Sequence, residues 1–259
     1  MLVINNVTKL FGGIIANHDI SFRFEKGNIV GLIGPNGAGK STLLNMVSSV
    51  FPPSKGEILF EGERIDQLPA FRMAPLGISR TFQNLQIFKQ MSVLENVMVG
   101  HHAKKKSGIF QAALRLSQSR KDEKDIYEQA IKHIKFVGLE NEMELQAGNL
   151  SLGKLRLLEL ARALCSEPKL LLLDEIAAGL NHKETREMSD LIQKVKDIGI
   201  AVLLVEHDMD MVMKICDHII VLDQGEKIAE GTPEEVQNNE RVITAYLGEE
   251  VEETAEEAS

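Results

Sequence analysis

Tryptophan is absent from the chain, and cysteine nearly so: Cys165 and Cys216 are the only two in 259 residues. Two cysteines cannot build a disulfide framework, and both stand in apolar stretches, which reads as buried thiols in a reducing compartment. No window approaches the ~18 uninterrupted apolar residues that a membrane span requires. The opening Met1-Leu2-Val3-Ile4-Asn5-Asn6 has neither a basic region nor a long apolar run. No signal peptide is therefore expected, and any link to a membrane must run through a partner. Positive charge is also short. The formal net charge is −9, and six glutamates between Glu249 and Glu257 supply most of it, leaving a body close to neutral. That balance argues against nucleic acid as the main partner. No internal repeat is found. At 44% hydrophobic residues, the chain can bury the core of one large domain or two small ones.

What is present centres on Gly34-Pro35-Asn36-Gly37-Ala38-Gly39-Lys40-Ser41-Thr42. The apolar run Ile29-Val30-Gly31-Leu32-Ile33 precedes it and Leu43-Leu44-Asn45-Met46-Val47 follows, a pattern of buried strand, glycine loop and helix start. Glycines let the backbone curl so that its N–H groups converge on phosphate oxygens, and the helix start adds partial positive charge. Lys40 can reach the β- and γ-phosphates, and the Ser41 hydroxyl can hold Mg²⁺. The pattern predicts a nucleoside triphosphate site.

Around this loop, Ile20, Phe22 and Phe24 alternate with polar residues as in a half-exposed antiparallel strand, and Glu57 to Phe60 reads as another. Pro52-Pro53-Ser54-Lys55-Gly56 is expected to end the first helix. Ser92 and Glu95 form a capping-box pattern for a helix through Val99, and residues 103–135 are charged and helical in pattern. Leu170-Leu171-Leu172-Leu173 and Ala201-Val202-Leu203-Leu204-Val205 are continuously apolar, as parallel strands covered on both faces should be. His218 to Leu222 reads as a further strand. Thr232-Pro233-Glu234-Glu235 is a second capping box with proline at the first helical position. Residues 249–259 are acidic and without aromatics, which predicts a disordered tail.

The strand at Leu170 runs into Asp174-Glu175, at the end of a parallel strand where ligands bind in such sheets. Asp174 suits a Mg²⁺ shell, and Glu175, one residue further out, could polarise a water for attack on the γ-phosphate; an acidic cap for the next helix is the plainer alternative. The second core strand ends at Glu206-His207, which places His207 to donate to the γ-phosphate. Asn149-Leu150-Ser151-Leu152-Gly153-Lys154 opens an amphipathic helix whose apolar stripe is Leu157, Leu160, Ala161 and Leu164. Ser151 and Gly153 make a second anion-ready helix start, with no phosphate of its own to serve. Two other patterns are discounted. His101-His102 beside Lys104-Lys105-Lys106 reads as a solvated face rather than a metal or lipid site, and Met209, Met211 and Met213 read as ordinary packing.

In these residues the chain resembles the ATP-binding cassette (ABC) transport ATPases. Gly34 to Thr42 matches their Walker A loop, Leu150 to Lys154 the signature and Leu170 to Glu175 the Walker B strand. Gln83 matches the Q-loop, Ala177 to Asn181 the D-loop and His207 the switch histidine. The resemblance implies an α/β fold: a P-loop NTPase core with a mixed β-sheet, an antiparallel β region and a helical subdomain at about 90–165, all within 1–248. It also implies a head-to-tail dimer in which Ser151 and Gly153 of one subunit close over ATP held by Lys40 of the other. Phe11, in Leu10-Phe11-Gly12-Gly13, would by the same likeness stack on adenine, or else be a core residue at a strand end. Gln83 would join Ser41 in the Mg²⁺ shell. Two positions depart from the pattern: Lys154 replaces a glutamine, and Ile176 a proline.

Ile78 to Asn84, Met91 to Val97 and Ala245 to Gly248 are similar to the ATPases of branched-chain amino acid importers. Such ATPases work with a second ATPase subunit, two membrane permeases and an extracytoplasmic binding protein, at the cytoplasmic face of the membrane. The rival readings are the ATPase of another transporter (urea, amide or lipid type), a soluble ABC machine, and a P-loop kinase outside the family. A soluble machine of the translation type would carry two cassettes where this chain has one. One of the repair type would have a long coiled coil between Lys40 and Ser151. A kinase would have no use for Ser151 to Lys154.

Overall fold

The computed structural model describes residues 1–102 and 117–246. The lysine run 104–106, most of the start of the charged helical stretch and the acidic segment 249–259 lie outside the described residues.

Two sheets form. In the first, β1 (Leu2–Phe11), β2 (Ile14–Phe24), β4 (Lys55–Phe60) and the short β5 (Glu63–Arg64) pair antiparallel in the order β2-β1-β4-β5. The second holds β3 (Ile29–Ile33), β6 (Ile78–Arg80), β7 (Leu170–Asp174), β8 (Ala201–Val205), β9 (His218–Asp223) and β10 (Glu226–Gly231). Its order is β10-β9-β3-β8-β7-β6, parallel except for the β9–β10 hairpin. Helices among the described residues include α1 (Lys40–Val47), α2 (Met73–Leu76), α3 (Val93–His102), α4 (Ser117–Phe136), α5 (Leu152–Cys165), α6 (His182–Asp197), α7 (Met209–Ile215) and α8 (Pro233–Gln237).

The central strands β3, β7 and β8 are buried at every position, and apolar up to the Asp174 end of β7, because both faces of their sheet are covered. Alternation still sorts the side chains. Ile29, Ile33, Leu171, Leu173, Val202 and Leu204 join one core with α5, α6 and α7. Val30, Leu32, Leu170, Leu172, Leu203 and Val205 join a second core with α1 and the antiparallel sheet. Ile20, Phe22 and Phe24 point their period-2 face into that second core. Met211 is buried, with Met209 and Met213 packed against the first core.

Local signals set several ends. Ser92 and Glu95 exchange backbone-to-side-chain bonds at 2.8 and 3.1 Å, and Thr232 and Glu235 do the same at 2.7 and 3.3 Å. The first helix stops at Val47, before the prolines, where Ser48 leaves helical backbone angles and Ser49 takes φ 54. β6 has no periodic signature at three residues; it exists because the edge of β7 pairs with it. The stripe on α5 also differs from the expectation. Leu157 is only partly buried, while Arg156 and Glu159 are buried among Leu158, Leu160, Ala161 and Leu164. Both thiols are buried, and burial pushes Cys165 and Cys216 up to about 12, so neither is a nucleophile at neutral pH.

Candidate functional site

Strand register assembles the site. Val205 pairs with Leu32 on one side and with Asp174 on the other, so the carboxyl ends of β3, β7 and β8 lie abreast. The residues just past those ends are the glycine loop, Glu175 and His207. They face one cavity of about 300 Å³, lined by Ala16, residues 36–42, Gln83, Glu175 and His207.

The loop is shaped for phosphate. Gly34, Gly37 and Gly39 all take positive φ. At Gly34 a Cβ would lie 1.9 Å from the Leu222 carbonyl oxygen, and at Gly39 it would lie 2.5 Å from that of Ala16. No side chain caps α1 at Gly39, which leaves its first N–H groups facing the cradle. Lys40 is buried, with its ammonium donating to the carbonyls of Gly34 at 2.6 Å and Pro35 at 2.8 Å. The oxygen donors that line the cavity, the Ser41 hydroxyl and the Gln83 carboxamide, suit a hard divalent cation such as Mg²⁺.

Glu175 is held from two sides. Gln83 Nε2 donates to its Oε2 at 2.9 Å, and His207 Nε2 lies 3.0 Å from its Oε1. Its own backbone has φ 51, in the left-handed region that a glutamate adopts only under constraint, and its N–H is fixed to the Val205 carbonyl at 2.9 Å. The carboxylate is thereby presented over the cavity floor rather than along α6, which has its own cap at Asn181 and Glu184. Asp174 lies one layer deeper. It is buried, and Arg80 donates to its Oδ2 at 2.9 Å while also reaching Asn45 Oδ1 and Ser48 Oγ, both at 2.7 Å.

Residues 17–178 match the family described as ABC transporter, and residues 226–252 the one described as branched-chain amino acid ATP-binding cassette transporter. The chain belongs to the ABC transporter family. As an ABC ATPase it binds ATP and hydrolyses it. The cassette is 40% identical over 250 residues to the high-affinity branched-chain amino acid transport ATP-binding protein LivG of Salmonella typhimurium, across 96% of this chain and 98% of LivG. A solved ATP-binding cassette of an ABC transporter in its ADP conformation has TM-score 0.83 and 31% identity, covering 96% of this chain and 98% of its own. A dimeric cassette in a post-hydrolysis state, bound to ADP and Pi, has TM-score 0.75 and 25% identity, covering 90% and 99%.

Not every residue singled out in the sequence borders the cassette's cavity. Phe11 is exposed at the tip of the β1–β2 hairpin, its ring edge-to-face with Phe51 at 5.4 Å. Ser151, Gly153 and Lys154 lie at the start of α5, where Ser151 caps the helix by accepting from the Lys154 N–H. The Lys154 ammonium is paired with Glu142, so its charge is met within its own chain. Ile176 is fully buried in the first core, which anchors the start of the following loop where proline would have stiffened it.

Three residues that matter to the site's geometry escaped the sequence: Arg80, Glu159 and Glu206. Charges on or beside helices and strands are usually solvated, and nothing local marks these as buried. Glu206 accepts the Ala177 N–H at 2.8 Å, tying the end of β8 to the segment after Glu175. Burial raises its pKa from 4.5 to about 7, against the pull of the Ala177 and His207 N–H groups; the nearby Glu175 and Asp208 push it up further. A raised acid holds its proton in the folded chain after the unfolded chain has lost it. Glu206's own contribution to stability must therefore fall as pH rises from about 4.5 to about 7, then level off, while His133, whose burial lowers its pKa from 6.5 to about 4, contributes a rise over much of the same window. Thermal unfolding of Glu206→Gln should lack that decline. A variant with the parent's slope across this window would show that Glu206 is not its source.

Proposed function

We propose that the chain is the ATPase subunit of an importer for branched-chain amino acids, working at the cytoplasmic face of a membrane. The observation that carries the solute is the match of residues 226–252 to the branched-chain amino acid family, a segment outside the shared catalytic core. The likeness to LivG over nearly its whole length supports it.

In this reading Lys40 and the N–H groups of residues 36–42 hold the triphosphate, and Phe11 stacks on the base. Ser41, Gln83 and, from one layer deeper, Asp174 would hold Mg²⁺, and the ion would supply positive charge against the phosphates. Glu175 takes the proton from the attacking water. Its two neighbours, Gln83 and His207, fix the carboxylate's direction, and His207, which lines the same cavity, would turn to a γ-phosphate oxygen. Ser151 and Gly153 serve the nucleotide of a second ATPase subunit, which answers why an anion-ready helix start lies far from this chain's own cavity. With Lys154 engaged by Glu142, the backbone of the signature turn rather than a side-chain cation meets that phosphate. The partners are that second subunit, two membrane permeases and, through them, an extracytoplasmic binding protein; nucleic acid is not among them. Among the described residues no helix is long and apolar enough to cross a membrane, so attachment falls to the permeases.

The test is uptake by vesicles containing the permeases that co-purify with this chain. Leucine, isoleucine or valine should accumulate only with ATP and intact Lys40. Uptake of an unrelated solute, with none of these three, would end the branched-chain reading and leave the ATPase reading intact.

A further inference from the structure

Beyond the signature turn at its start, α5 carries charges at three successive i, i+3 positions: Arg156, Glu159 and Arg162. Charged residues are almost never fully buried unless paired. Here Arg156 is 4% exposed and Glu159 1%. Both turn towards the segment between β6 and α3, which forms neither strand nor helix and so must satisfy its peptide groups elsewhere. Glu159 Oε1 accepts the Phe82 N–H at 3.1 Å. Arg156 lies with Nη1 and Nη2 each 3.4 Å from the Gln83 carbonyl oxygen, and with Nη1 3.4 Å from Glu159 Oε2. Arg162 donates to the Gln86 carbonyl. The side chain of Gln83, in turn, ends on Glu175.

A buried ion pair is a poor source of net stability, since apolar residues of similar volume commonly hold a helix in its core as well or better. The orientation of this pair points to another use. Two consecutive residues of an otherwise unstructured segment are fastened to one rigid helix, and the second of them is the residue that touches the base.

We propose that Arg156 and Glu159 are positioning residues: they strap the Gln83 segment to the signature helix, so that seating of Ser151 and Gly153 on a partner's nucleotide is carried through Gln83 to the Glu175 carboxylate. The inference rests on the reading of Glu175 as base and of the signature turn as the partner's phosphate site. In it, hydrolysis at one site is licensed by contact at the other.

Two double variants of the full chain isolate the strap. Arg156→Met with Glu159→Gln removes both charges yet keeps a carbonyl oxygen for the Phe82 N–H. Arg156→Met with Glu159→Leu removes that oxygen as well. The expected result is Mg-ATP affinity equal within about twofold, and hydrolysis about tenfold slower in the leucine version, the signature of a group that acts on turnover alone. Equal hydrolysis rates overturn the proposal. So does a loss of ATP affinity in step with rate, which marks a purely structural role. Should either double variant fail to fold, Glu159→Asp keeps the charge and withdraws the oxygen by one methylene. It should slow hydrolysis while sparing ATP affinity, and a parental rate there overturns the strap. Glu175→Gln in the same assay separates the two readings: if it hydrolyses ATP at the parental rate, the assignment of the base fails whatever the strap variants do.

Discussion

Glu175→Gln is expected to bind Mg-ATP as the parent does and to hydrolyse it about 10²- to 10⁴-fold more slowly, the range that a positioned general base supplies. The substitution is nearly isosteric and leaves the two flanking contacts in place: Gln83 and His207 reach opposite oxygens of the carboxylate, and a carboxamide can still meet each of them. What it removes is basicity. The positive φ at residue 175 and the N–H bond to Val205 belong to the backbone and are unaffected. Because the variant stalls before hydrolysis, ATP should also drive it into a two-subunit particle, measurable by its mass in solution with and without nucleotide. The dimeric relative bound to ADP and Pi is the precedent for such pairing. Parental turnover would remove Glu175 as base. A variant that stays strictly monomeric with ATP, alone and beside its permease, would remove the shared site.

Arg80→Met is expected to cost about 3–5 kcal/mol of stability, the cost of stranding one partner of a buried ion pair. Arg80 and Asp174 have side chains 8% and 6% exposed and lie 2.9 Å apart. Without the guanidinium, the buried Asp174 carboxylate is left without its cation, and Asn45 and Ser48 lose their shared donor. For a chain of this size that corresponds to a fall in unfolding temperature of about 10 °C. Asp174→Asn in the same background should recover a large part of the loss, because it removes the stranded charge. A single variant that unfolds within about 1 kcal/mol of the parent would show the pair to be no stronger than a surface contact.

The two experiments probe parts of the site that the sequence revealed to different degrees. Glu175 was legible because a four-leucine strand announces where it ends, and an acid at that end has few other uses. The glycine loop was legible because positive φ and close backbone approach admit little but glycine, as the contacts at Gly34 and Gly39 illustrate. Capping boxes at Ser92 and Thr232 were legible because both partners lie within one turn. Family likeness supplied Gln83 and Phe11, which spacing alone would not have placed, and gave the anion-ready helix start at Ser151 and Gly153 a partner's phosphate to serve.

Arg80 on Asp174, Glu159 on Phe82, Glu206 on Ala177 and Lys154 on Glu142 were not legible in the same way. Their partners lie 94, 77, 29 and 12 positions apart. No periodicity links such pairs, and a lone charge in sequence looks solvated until a strand register or a helix packing places its partner beside it. What the sequence determined by itself is what local chemistry demands: strand, glycine turn, helix start and an acid at a buried strand's end. The tertiary structure alone decided which charges leave water, since desolvation depends on every element that closes over a group and not on its neighbours along the chain.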